Sequence, residues 1–142
     1  MFNFKNACCT TGNNRKLKIA ENASVMYVIN NQRKGYHDIQ IDGCDITEGY
    51  KCDRGVYLVE TNAGLLVELK GSDVAHAVEQ LAESLGKYKS KLSQLGASVQ
   101  CFVISCNNPL SSTASQNVKI KFKKKHGVSL RIERSNFSYE YT

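Results

Sequence analysis

The chain has no long apolar run. Its 142 residues are 42% hydrophobic, but polar positions interrupt each segment before the roughly 20 apolar residues that a membrane-spanning helix needs. No membrane association is expected. The opening Met1-Phe2-Asn3-Phe4-Lys5-Asn6 lacks the continuous apolar stretch of an export leader, so the expected setting is cytoplasmic. No Cys-x-x-Cys pair occurs among the six cysteines, and a disulfide framework is not expected in a reducing compartment. Cys8, Cys9, Cys44 and Cys52 could together offer four thiolates to a structural Zn²⁺. Their irregular spacing, with Cys8 and Cys9 adjacent, argues against a tetrahedral site. Cys101 is expected to pack as a small hydrophobe inside an apolar segment. Internal repeats are absent, and the length suits one domain with a real core, residues 1–142.

What is present begins with charge. Nineteen Lys and Arg stand against thirteen Asp and Glu, a net charge of +6, which is compatible with a polyanionic partner. Much of the excess lies in Lys119, Lys121, Lys123, Lys124 and Lys125. Ile120 and Phe122 alternate with three of these lysines, which predicts a strand with one basic face, either solvated or in contact with nucleic-acid phosphate.

Periodicity orders the rest. Residues 1–24 are polar and turn-rich, with a weak helical signal at 15–20. Alternation at 24–29 and 36–42, across an Asn-Asn-Gln-Arg-Lys-Gly turn, predicts a hairpin. Residues 53–60 and 65–70 predict a second hairpin around Thr61-Asn62-Ala63-Gly64. Ser72 is a plausible N-cap for a long helix whose apolar positions run from Val74 to Leu95, with Gly96 as its stop. Residues 99–105 read as a buried strand, 107–117 as a polar loop, and 118–123, 128–132 and 137–141 as closing strands. A helix joining 65–70 to 99–105 makes those two strands parallel through a right-handed crossover. The expected class is therefore α/β: a mixed central sheet with a long crossover helix, plus C-terminal β-strands in a basic extension, 118–142.

One stretch carries chemistry. Glu68 and Lys70 lie two apart and share one strand face, inside the apolar run Leu65-Leu66-Val67-Glu68-Leu69. Charges in such a run are costly unless paired, metal-bound or functional. With the turn at 61–64, Asp53 falls opposite a position near 72 and Glu68 opposite a position near 57. A bulge or twist is then required to bring the two acids together. A Mg²⁺ or Mn²⁺ held by Asp53, Glu68 and the Leu69 carbonyl would keep positions open for water and a phosphate oxygen. Lys70 would orient the attacking water or stabilise developing charge. Asp42, Asp45 and Glu48 read as a solvated loop, His76 as an exposed helical histidine, and Gly71 as the residue that permits a tight strand-to-helix turn.

Asp53, then Glu68-Leu69-Lys70 across a hairpin, then a helix carrying Gln80, resembles the PD-(D/E)XK, or restriction-endonuclease-like, nuclease superfamily. The resemblance covers about residues 36–105. It implies a core of helix, three strands, helix and strand, with Asp53 and Glu68 holding the metal, Lys70 as the catalytic lysine, and Gln80 steadying the site or touching substrate. Cys52 stands where a proline often precedes the aspartate, and Ser84 stands where a Gln-x-x-x-Tyr version has tyrosine. Glu21 is the only candidate for the acid that the first helix often carries. The resemblance implies a metal-dependent nuclease acting on nucleic acid, DNA more than RNA, in restriction, repair, recombination or anti-phage defence. The small size suggests a homo-oligomer or a partner protein. The competing expectation is a non-catalytic nucleic-acid-binding or protein-interaction module that uses the lysine run.

Overall fold

The computed structural model describes residues 6–21, 23–44, 53–70, 73–92, 98–106 and 112–142. These form nine strands and two helices: β1 (Cys9–Gly12), β2 (Lys16–Glu21), β3 (Ser24–Ile29), β4 (Tyr36–Gln40), β5 (Arg54–Leu58), β6 (Ala63–Lys70), α1 (Val74–Leu92), β7 (Ser98–Ser105), α2 (Ser112–His126), β8 (Ser129–Arg134) and β9 (Phe137–Glu140). The class is α/β with a mixed sheet. Six strands run in the order β1-β4-β5-β6-β7-β8, and β2-β3-β9 form a second sheet. β4, β5 and β6 are antiparallel neighbours, whereas β6, β7 and β8 are parallel.

The six-stranded sheet is covered on both faces. On one side Leu66, Cys101, Val103, Leu130 and Ile132 pack with Val74, Ala77 and Leu81 of α1 and Phe122 of α2. On the other, Leu65, Val67, Phe102 and Ile104 meet Ile19, Met26 and Val28 of the smaller sheet. β6 is buried from both sides, as its unbroken apolar run anticipates. Leu65, Leu66 and Val67 are fully buried, each contributing about 1.5–3 kcal/mol. That burial offsets the cost of keeping Glu68, only 1% exposed, in the same strand. The smaller sheet depends on its own apolar alternation, Leu17 and Ile19 alternating with Lys16 and Lys18.

Several expectations are corrected. The expected helix at 15–20 is instead strand β2 from Lys16, because Leu17 and Ile19 follow the two-residue period of a sheet. The segments 24–29 and 36–42 do not pair as a hairpin: β3 joins β2 and β9, while β4 joins β1 and β5. The lysine run 118–123 is helical rather than a strand and belongs to α2. β7 and β8 are parallel, and a parallel pair needs a crossover that a tight turn cannot supply. Ser115, Val118, Phe122 and His126 recur at helical spacing; Phe122 is buried and Ile120 is 62% exposed. α1 is capped by Asp73, whose Oδ1 accepts the His76 N–H at 3.0 Å; the expected cap, Ser72, lies outside the described residues.

Cysteine also departs from expectation. Cys8 and Cys44 form a disulfide across 36 positions. The β1–β4 pairing sets Cys9 opposite Ile39, and the turn after β4 carries Cys44 back to Cys8. The four-thiolate zinc reading would require that bond to be reduced, and Cys52 lies outside the described residues. Cys101 is fully buried, as expected, and burial pushes its thiol up to about 12. No helix among the described residues is long and apolar enough to cross a membrane.

Candidate functional site

The β5–β6 turn sets the register on which the site depends. The chain reverses at Val59–Asn62, where the Asn62 N–H donates to the Val59 carbonyl at 3.3 Å. Asn62 takes a left-handed φ of 51°, which asparagine tolerates better than most residues. Its Oδ1 accepts the Tyr57 hydroxyl at 2.7 Å. Ala63 and Gly64 are thus released into the strand. Leu58 faces Ala63 and Arg54 faces Val67. One further step places Asp53 opposite Glu68, so the expected offset disappears without a bulge.

Asp53 and Glu68 hold each other. The Leu69 N–H donates to Asp53 Oδ2 at 2.8 Å, and the Asp53 N–H donates to Glu68 Oε1 at 3.1 Å. Each carboxylate therefore keeps its second oxygen for other partners. Lys70 Nζ lies 3.9 Å from Glu68 Oε2, and the Lys70 carbonyl accepts the Ser24 hydroxyl of β3 at 2.8 Å. The smaller sheet thus clamps the end of β6. Leu69 directs its N–H toward Asp53, and in an extended strand its carbonyl points to the same side.

Two further acids complete the surroundings. A polar cleft of about 340 Å³ is lined by Glu21, Gln40, Asp42, Asp53 and Arg54. Burial raises the Asp53 carboxyl to about 7, against the lowering effect of the Leu69 N–H; Glu21, which hydrogen-bonds to it, and Asp42 raise it further. Burial also pushes Glu68 up to about 9, with the Asp53 charge adding to the effect and Lys70 opposing it. Arg54 lines the cleft, but its guanidinium engages both oxygens of Asp38 on β4. Glu21 sits at the end of β2, not on a first helix, and reaches Asp53 from the second sheet. Asp42, expected in a solvated loop, is exposed and lines the same cleft, where its charge acts on the Asp53 carboxyl. Asp45 and Glu48 lie outside the described residues.

The remaining candidates divide. Gln80 is half-buried on α1, between the buried Ala77 and Ser84 along the helix, on the face that packs over the sheet. His76 Nδ1 lies 3.8 Å from Glu79 Oε2, one turn along α1. None of Lys119, Lys121, Lys123, Lys124 and Lys125 lines the cleft at Asp53. α2 runs back from the end of β7, where Lys70 faces Ser105, toward the start of β8, where Ser129 faces Gln100. Lys119–Lys125 occupy its second half, and a 15-residue helix is about 22 Å long.

Asp53 and Glu68 are the residues that could hold a hard divalent cation. Among the described residues, no group of three or more His, Cys, Asp or Glu side chains is placed to hold a metal ion. Mg²⁺ commonly takes only one or two carboxylates and completes its shell with carbonyl, water and phosphate oxygens. Two buried carboxylates that resist ionisation on their own are what a cation would relieve. The chain was compared with protein-family models, with curated proteins and with solved structures, and none of the three comparisons gives a match.

Proposed function

We propose that this protein is a metal-dependent nuclease that hydrolyses nucleic-acid phosphodiester bonds, with DNA as the preferred substrate class. The observation that carries this reading is the direct opposition of Asp53 and Glu68 on adjacent strands, each pinned by a backbone N–H of the other strand, with Lys70 two residues beyond Glu68. The run of antiparallel hairpin, helix and parallel strand in β4–β5–β6–α1–β7 is the order that the PD-(D/E)XK resemblance implies from its first strand onward. The N-terminal part differs, since Glu21 arrives on a strand.

Asp53, Glu68 and the Leu69 carbonyl would hold Mg²⁺ or Mn²⁺. The bound cation supplies Lewis acidity at a phosphate oxygen and makes a coordinated water more acidic. The chain's own residues do the rest. Asp53 and Glu68 are fixed in register by the sheet, so their orientation needs no rearrangement. Lys70, anchored through its carbonyl by Ser24, places an ammonium beside the attacking water and the oxygens that gain charge. Gln80 steadies substrate or water from α1.

The test uses plasmid, single-stranded DNA and RNA, each with Mg²⁺, Mn²⁺ or EDTA. Cleavage that requires the cation and disappears in Lys70→Ala and Asp53→Ala is the expected result. Binding without cleavage under every metal, unchanged by those substitutions, would leave the non-catalytic binding module as the better reading.

A further inference from the structure

β8 ends the six-stranded sheet. β7 pairs with one side of it, and among the described residues no strand pairs with the other. The parallel ladder determines which backbone groups look outward. The Ser135 N–H donates to the Ser105 carbonyl at 2.9 Å, and Arg134 is the register partner of Ser105. The ladder to β7 therefore uses alternate residues, Ser129, Arg131 and Glu133. Leu130, Ile132 and Arg134 turn their N–H and C=O groups to the open edge.

We propose that this edge binds a second copy of the same chain, β8 against β8, antiparallel, about a two-fold axis through Ile132. In an antiparallel pair, residues directly opposite share a face of the sheet, and the two-fold makes the pairing self-complementary. Centring on Ile132 sets Arg131 opposite Glu133 of the other copy on both sides of the axis. Centring on Arg131 opposes two guanidinium groups, and centring on Glu133 opposes two carboxylates. Centring on Leu130 leaves Glu133 and Arg134 unpaired. The Ile132 register alone uses most of the strand and matches charge.

The side chains are already arranged for this contact. Glu133 Oε2 accepts from Arg131 Nε at 3.0 Å and from Nη2 at 2.8 Å, and the guanidinium lies 4.8 Å from the Phe137 ring centre. Both are held on one face before association, so little side-chain freedom is lost. The Arg–Glu pairs fall at the non-hydrogen-bonded positions, where opposing side chains approach most closely. On the helix side, exposed Ile120 and the edge of buried Leu130 line a cleft of about 560 Å³ with Lys119, Lys123 and Lys124. Arg134 of the other copy falls opposite Leu130, and its aliphatic stem can cover that apolar surface. The lysines bring positive charge to the seam, screened over about 8 Å at 0.15 M salt.

Sedimentation velocity on the full chain, from about 1 to about 100 µM at about 0.15 M salt, tests the proposal. The expected species is a dimer. Arg131→Glu and Glu133→Arg each turn both cross-strand pairs into like-charge pairs and weaken association about tenfold or more. The double variant Arg131→Glu/Glu133→Arg restores opposite charges and regains the wild-type association. Arg134→Pro removes an outward N–H, leaves the β7 ladder intact, and yields a monomer with unchanged circular dichroism and melting temperature. A wild-type monomer at about 100 µM overturns the proposal and leaves the edge to an extended segment of another protein. A dimer indifferent to Arg134→Pro, or a double variant that does not recover, overturns it equally.

Discussion

Glu68 decides the energetics of the site. Burial pushes its carboxyl from an ordinary 4.5 up to about 9, so the folded chain keeps a proton that the unfolded chain has released. The stability associated with that proton is fully present below about pH 4.5 and is lost as pH rises through about 9. Without divalent cation, the melting temperature is expected to fall across that window. Glu68→Gln should flatten the slope and raise the melting temperature at about pH 9. On the proposed metal site, Mn²⁺ or Mg²⁺ would bind the deprotonated carboxylate and should raise the wild-type melting temperature more at about pH 8 than at about pH 6; scanning calorimetry with and without EDTA checks this. Glu21, hydrogen-bonded to Asp53, helps to orient that carboxylate. Glu21→Gln is expected to weaken Mn²⁺ binding roughly tenfold with the fold intact, measured by titration calorimetry. Glu68 and Lys70 stood out in the sequence because charge in an apolar run needs a reason, and Asp53 stood out only through its place across the hairpin from them. Asp42 did not, because nothing in a loop's composition says which side chain it faces.

Elements with an unbroken pattern were legible: α1, β6 and β7 run within a few residues of their expected bounds. α2 was not. Lysine and apolar residues alternate over 119–123, which imitates a strand, and the polar start of the helix, Ser112 to Asn117, imitates a loop. Tertiary context settled the conflict, since parallel β7 and β8 require a crossover between them. The two conformations make opposite demands. In a strand, Ile120 and Phe122 share a face and would cost alike; in α2, Phe122 is 4% exposed and Ile120 is 62% exposed. Phe122→Ala should destabilise by about 3–5 kcal/mol, whereas Ile120→Ala should change stability by about 0.5 kcal/mol or less. Urea unfolding monitored by circular dichroism distinguishes them. The β5–β6 turn shows the same limit at shorter range. Asn62 and Gly64 both permit a reversal, and the choice of Val59–Asn62 shifted every pair in the ladder.

At the scale of the whole molecule, two sheets and one disulfide among the described residues set the frame. Cys8–Cys44 joins residues 36 apart, and closing a loop of that length stabilises by roughly 3–4 kcal/mol in the chain-entropy account. Cys44→Ser, or reductant added to the wild type, is expected to lower the guanidinium midpoint by a matching amount, read by fluorescence of the tyrosines. By itself, the sequence determined the α/β class, the central burial of β6, the long helix after it and the presence of two charges in the apolar run of β6, because periodicity and the cost of buried charge act locally. Tertiary structure alone decided that Asp53 meets Glu68 directly, that Glu21 and Asp42 reach Asp53 from other elements, that Cys8 meets Cys44, and that the lysines lie toward the far end of α2. These are contacts between segments distant in sequence, set by turn geometry and strand order, and neither leaves a local trace in the residues.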